Sequence, residues 1–314
     1  MTDQLVDDLT VAHKRFREQL IDAGHLVPAG LDGLYARGPE YEAAFDGVDR
    51  VMWAAGTAAH GADNVRRLRF PPVFPRDAYE KTDYIASFPH LTGAISTFVG
   101  STREHSQLLL EREEGLPWDG HLTAAGTMLV SAACHPLYAT LPDTLPQGGS
   151  RFNVHGYCFR HEPSIDPLRM QAFRMQEFVY VGEPEGAVEH RQTWIRTGLE
   201  IFDQLGLVAD DVPANDPFFG RHGEMLANNQ MQENLKTELV VRLYGDLDEG
   251  TALLSCNNHQ DHFGVGFGLS TADGGVVHSA CVGIGMDRIT LALFAIHGID
   301  SSTWPASVRS ALGI

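Results

Sequence analysis

Residues 157–182 read YCFRHEPSIDPLRMQAFRMQEFVYVG, and the rest of the chain is organised around them. A short strand over 157–160 leads into a polar loop with two prolines, 162–171, and a second strand follows over 173–181. This long-loop hairpin carries Arg160, Glu162, Arg169, Arg174 and Glu177 around two phenylalanines. Arginines on neighbouring strands suit a phosphate, because the guanidinium fork donates several hydrogen bonds to oxyanions. An aromatic such as Phe178 beside them suits a purine ring. A surface hairpin laced with ion pairs is the plainer account of such charges. The ordered string F-R-x-E, loop, F-R-x-x-E-F argues against it.

Working outward, 314 residues, 43% of them hydrophobic, suffice for one large domain or a domain with an appendage. No run approaches the ~20 apolar residues of a membrane span. The opening MTDQLVDDLT is acidic and unlike a signal peptide. Four cysteines do not make a disulfide scaffold; they read as reduced cytoplasmic thiols or metal ligands. The net charge of −18 argues against a tRNA- or DNA-binding surface, which needs a basic face. The densest basic cluster is Arg66-Arg67-Leu68-Arg69. An ATP pocket needs only a few local arginines and stays open.

In chain order, residues 3–24 have helical spacing through Leu5, Leu9, Ala12, Phe16 and Leu20, and the glycine- and proline-rich residues 25–40 read as a linker. A second helix, 41–60, precedes a strand that breaks at Pro71-Pro72. Residues 84–100 read as irregular, 104–114 as a short charged helix, and 128–130 as a strand before Cys134. Taken alone, Cys134 is an ordinary buried thiol. A strong helix covers 185–206. Residues 209–232 are polar and irregular, with a Pro217-Phe218-Phe219-Gly220 patch; strands cover 236–244 and 251–256. The polar run 257–262 holds two histidines and an aspartate, which raises a metal site there against the commoner polar loop. The last strand passes through Gly283 and Gly285 into an apolar helix, with Asp287 at a capping position. Arg288 sits poorly against the helix dipole, which hints at a bound anion or ring.

Three pieces stand in order: helix and strand ending at Pro71-Pro72; F-R-H-E at 159–162 with F-R-M-Q-E-F at 173–178; and G-I-G-M-D-R at 283–288. They resemble motifs 1, 2 and 3 of the class II aminoacyl-tRNA synthetases, most closely the seryl-tRNA synthetases. LSCNNHQD at 254–261 and LVSAACHPLY at 129–138 extend the resemblance to about residues 40–300. The long tRNA-gripping coiled coil of those enzymes has no counterpart before residue 40. Cys134, Glu177 and Cys281 fall where the methanogen-type enzymes place zinc ligands. These features together resemble the amino acid:[carrier protein] ligases.

The resemblance implies an α+β fold: an antiparallel sheet of about six strands flanked by helices, with residues 1–40 as a short helical extension and 41–314 as the catalytic domain. It implies ATP, Mg²⁺ and Zn²⁺, a small amino acid such as glycine or alanine, a phosphopantetheinylated acyl carrier protein as acceptor rather than tRNA, and a homodimer through 41–72. Arg160 would hold the α-phosphate and Glu162 the adenine amino group. Phe178 and Arg288 would sandwich adenine, and Arg169 and Arg174 would hold the outer phosphates. Cys134, Glu177 and Cys281 would hold zinc, leaving a position for the substrate amine. Strand alternation places Glu177 and Phe178 on opposite faces, a tension that only a bulge or a divided site resolves. The family's metal-binding glutamate is replaced by Ala252, leaving Glu238 and Ser255 as Mg²⁺ candidates. Ala132, Ala133 and Cys134 would line the amino-acid pocket, and Arg221, His222 and Lys236 would meet the carrier protein. Two other readings stand beside this one: an adenylating enzyme with a different acceptor, and a non-catalytic paralogue that senses amino acids.

Overall fold

The structure, a computed structural model, describes residues 3–82, 84–214 and 235–314. Helix α1 (Asp3–Asp22) buries Phe16 and Leu20, spaced i, i+4. The expected linker folds as a small hairpin of β1 (Leu26–Pro28) and β2 (Tyr35–Arg37). Helix α2 (Pro39–His60) starts on a proline, whose missing N–H costs nothing there, and buries Tyr41, Ala44, Phe45, Val48 and Met52. Strand β3 (Val65–Arg69) ends before Pro71-Pro72, and β4 (Val73–Pro75) resumes beyond it.

Residues 84–100, expected to be irregular, hold α4 (Tyr84–Ser87), after α3 (Arg76–Glu80), and then β5 (Ala94–Phe98). Helix α5 (Thr102–Glu113) starts on a capping box between Ser101 and Glu104. The strand expected at 128–130 is the end of a longer one, β6 (Leu122–Leu129), which pairs with β4 and β5 in a small sheet. The short helix α6 (His135–Tyr138) follows Cys134.

The central hairpin is longer than its sequence pattern, with β7 at Ser150–Phe159 and β8 at Ala172–Gly182. After α7 (Pro184–Gln204) come β9 (Ala209–Pro213), β10 (Lys236–Val241) and β11 (Thr251–Gln260). The chain closes with α8 (His262–Phe267), β12 (His278–Gly285), α9 (Met286–His297) and α10 (Ala306–Leu312).

The large sheet has seven strands in the order β3-β7-β8-β12-β11-β10-β9. Every neighbouring pair is antiparallel except β3 with β7. One face packs on α2, α7 and α9 around Phe178, Trp194, Val282, Ile284, Leu254 and Phe294. Phe16, Leu20, Leu26 and Tyr35 join that same core, so α1 and the β1–β2 hairpin pack into it. The opposite face supports the functional cavity.

Candidate active site and metal centre

Period-2 alternation builds this site. On β8, Phe173, Met175 and Glu177 line a cavity of about 590 Å³. Across the sheet, Cys281, Gly283 and Gly285 of β12 and Ser255, Asn257 and His259 of β11 line the same space. The walls are completed by Tyr84 and Phe88, by Cys134 and His135 at α6, and by Arg160, Glu162 and Leu168 of the β7–β8 loop.

At one end the sequence-predicted triad comes together. The ligand atoms of Cys134, Glu177 and Cys281 all lie within 4.8 Å of one another, and all three residues are buried. The Cys134 backbone N–H donates to Glu177 Oε1 at 3.0 Å, which fixes the carboxylate against the start of α6. Burial pushes the Glu177 carboxyl up. The Cys134 thiol is raised by its hydrogen bond to Cys281 and by burial. For Cys281 the bond from Cys134 lowers the thiol, but burial and the Glu177 charge outweigh it and the net direction is up. Three acids held together in a dry site resist ionising unless a cation joins them. Two thiols and a carboxyl suit Zn²⁺, whose bonds of about 2.0–2.3 Å put ligand atoms roughly 3.4–3.8 Å apart. The donor set therefore fits that ion. The run 257–262 contributes no group of its own among the described residues; its His259 instead touches Cys281, Nε2 to Sγ at 3.5 Å.

At the other end stand Arg160, Glu162, Phe173 and Arg288. Arg160 Nε donates to the Ser131 carbonyl at 3.2 Å, and its guanidinium lies 5.5 Å from the Phe173 ring centroid. Arg288 donates from Nε to Leu168 O at 3.0 Å and from Nη1 to Ala252 O at 3.2 Å, which holds its side chain along the wall. Arg169 is exposed on the loop and lies 3.8 Å from Glu162, outside the cavity wall. Ser255 and Glu238 both line the cavity, with Glu238 paired to Lys236 at 2.9 Å.

Three expectations about the motif residues are corrected. Phe178 does not reach the cavity. It is 1% exposed on the helix face of β8, tilted against Trp194 with centroids 4.5 Å apart, and its ring fills the space where a Cβ on Gly56 would lie. Arg174 shares that face. Its Nη2 donates to Asp287 Oδ1 at 2.8 Å, its Nη1 to Glu42 at 2.6 Å, and its guanidinium lies over Phe45 at 3.4 Å. A cation so fully engaged is a strut between β8, α2 and α9. Asp287 in turn is no helix cap: it accepts from Arg174, Arg37 and Tyr41. Burial alone would raise its carboxyl, but Arg37 and Arg174 hold it below the usual range.

The aromatic that the sequence reading missed is Phe173. The available signal was its spacing of four from Glu177, which puts both on one strand face. Ala132 lines the cavity, but Ala133 packs away from it beside Phe74 and Tyr79. Of the residues expected to meet a carrier protein, Lys236 is buried. Arg221 and His222, like the aromatic run 217–220, lie outside the described residues.

The fold is that of the class II aminoacyl-tRNA synthetase catalytic domains. Methanopyrus kandleri seryl-tRNA synthetase, solved in complex with A. aeolicus tRNASec, superposes with a TM-score of 0.79 at 19% identity over 95% of this chain; the chain spans 60% of that one. Cryptosporidium parvum prolyl-tRNA synthetase, complexed with halofuginone and AMPPNP, superposes with a TM-score of 0.63 at 12% identity over 90% of this chain and 52% of that one. No protein-family model matches the sequence. Two curated relatives from Bradyrhizobium diazoefficiens, amino acid–[acyl-carrier-protein] ligases 1 and 2, are 41% and 40% identical over 287 residues. The alignments cover 91% of this chain and 86% and 84% of those proteins. The chain belongs to the amino acid–[acyl-carrier-protein] ligase family.

Proposed function

We propose that this enzyme activates a small amino acid, glycine or alanine, with ATP and transfers it to the phosphopantetheine thiol of an acyl carrier protein. The observation that carries the reading is one cavity with Cys134, Glu177 and Cys281 at one end and Arg160, Phe173 and Arg288 at the other. The distance between a substrate's amine and its activated carboxylate is short, so a single cavity must serve both ends.

Phe173 and Arg288 enclose the adenine, a guanidinium facing a ring. Glu162 accepts from the adenine amino group, and Arg160 holds the α-phosphate. Arg169, on the exposed loop, reaches the outer phosphates. The substrate carboxylate attacks the α-phosphorus, forming the aminoacyl-adenylate and releasing pyrophosphate. Arg160 and Arg288 neutralise the charge that develops, and positioning supplies the rest. Glu238 and Ser255 offer oxygens for Mg²⁺ at the phosphates. In the second half-reaction the pantetheine sulfur attacks the aminoacyl carbonyl, the thioester forms and AMP leaves.

Cys134, Glu177 and Cys281 hold Zn²⁺, which when bound supplies an electrophilic position for the substrate's free amine. The three side chains fix that position and exclude acids that lack an amine. Ala132 keeps the wall beside it small, which favours a substrate with little side chain.

We also propose a homodimer. Among the described residues strand β3 is an edge of the large sheet, and it and the adjoining α2 suit cover by a second copy. All four cysteines are free and buried, which suits the reducing cytoplasm. Among the described residues no helix is long and apolar enough to cross a membrane. Amino-acid-dependent ATP–pyrophosphate exchange, followed by loading of a phosphopantetheinylated carrier protein, tests the reading. Exchange with no amino acid, in metal-loaded protein, would contradict it.

A further inference from the structure

The two thiols of the metal cluster have different neighbours. Asn257 stands directly across from Cys281 in the β11–β12 register, and its Nδ2 lies 3.6 Å from Cys281 Sγ. His259, two residues on, brings Nε2 to 3.5 Å of the same sulfur. Both nitrogens lie against the Cys281 sulfur.

The His259 ring is held from behind. Its Nδ1 lies 3.1 Å from Ser279 Oγ and 3.5 Å from Tyr138 OH, and Tyr138 OH donates to Ser279 Oγ at 3.5 Å. Tyr138 is itself fixed, stacked on Phe263 with centroids 4.0 Å apart, and His259 meets that same ring edge-on at 4.9 Å. When Nδ1 accepts from the Ser279 hydroxyl, the ring proton sits on Nε2 and points at the sulfur.

We infer that His259 is a positioning residue for the metal centre, acting with Asn257 to make Cys281 the weaker electron donor of the two thiolates. The inference rests on the zinc reading of the cluster. An N–H donated to a thiolate drains charge from the sulfur, and partners behind a metal ligand tune the metal as well as orient the ligand. A site with two thiolates and a carboxylate carries more negative charge than the ion's own charge. Weakening one thiolate leaves the ion electrophilic enough to hold an amine. The polar run 257–262 thus serves the metal from behind it.

The test uses the full chain loaded with Co²⁺, whose sulfur-to-cobalt absorption reports thiolate donor strength. His259→Ala should move that band to lower energy, because the sulfur that loses the N–H becomes the stronger donor. Ser279→Ala, which removes only a hydroxyl, should shift the band in the same direction by less and serves if His259→Ala does not fold. A folded His259→Ala or Ser279→Ala protein whose band lies at the wild-type energy overturns the inference. Wild type showing no thiolate band at all overturns the metal reading together with it, so the two failures are told apart by the wild-type spectrum.

Discussion

Phe173 and Glu177 lie four residues apart on β8 and face the same cavity, whereas Phe178, one residue on, is buried against Trp194 on the other face of the sheet. Phe173→Ala should therefore raise the KM for ATP by roughly 5- to 150-fold, the equivalent of about 1–3 kcal/mol of base stacking. Pyrophosphate exchange at varied ATP concentration measures it. Phe178→Ala should leave that KM near wild type and lower stability by about 3–5 kcal/mol, seen in urea melts. The opposite assignment of the two effects would restore the first sequence reading.

Arg174 should behave as a strut. Asp287→Ala leaves Arg174 and Arg37 buried without their shared counter-charge, and should cost about 3–5 kcal/mol of stability. Denaturant midpoints of folded samples check this. In Arg174→Met, whatever protein remains folded should keep its wild-type affinity for ATP, because the side chain does not line the cavity.

Much of this was legible beforehand. The hairpin, the long α2 and α7 and the glycine-bearing β12 announce themselves by periodicity and by proline and glycine placement. The triad needed the family resemblance, because Cys134, Glu177 and Cys281 are far apart in sequence. The nucleotide side failed at one point: Phe173 and Phe178 both follow the pattern's lettering, and only strand alternation relative to Glu177 separates them. Arg174 was misread because arginine near a phosphate motif looks alike whether it faces a ligand or a buried aspartate. Its partners, Glu42 and Asp287, come from helices 132 and 113 residues away. The hairpin inside residues 25–40 escaped notice because its two strands have three residues each.

Acid stability should carry the signature of His190. Burial pushes this imidazole down to about 3, and its Nε2 lies 3.0 Å from the Phe178 carbonyl, which a neutral Nε2–H satisfies. The unfolded chain takes up the proton near pH 6.5 while the folded one does not. Its contribution is thus fully present above about pH 6.5 and falls by about 1.4 kcal/mol per pH unit as pH drops toward 3. His190→Gln should flatten the urea-midpoint profile between pH 6.5 and 5 by about one proton. A profile with the wild-type slope would show that His190 is not the group responsible.

The reading of the cavity as a zinc-dependent adenylation site meets its sharpest test in amino-acid-dependent ATP–pyrophosphate exchange across the twenty amino acids, on protein whose metal content is assayed in the same sample. The account predicts exchange with glycine or alanine at about one zinc per chain, and loss of both metal and exchange in folded Cys134→Ala. Full exchange in metal-free protein, or zinc-loaded wild type that exchanges with no amino acid, would contradict it.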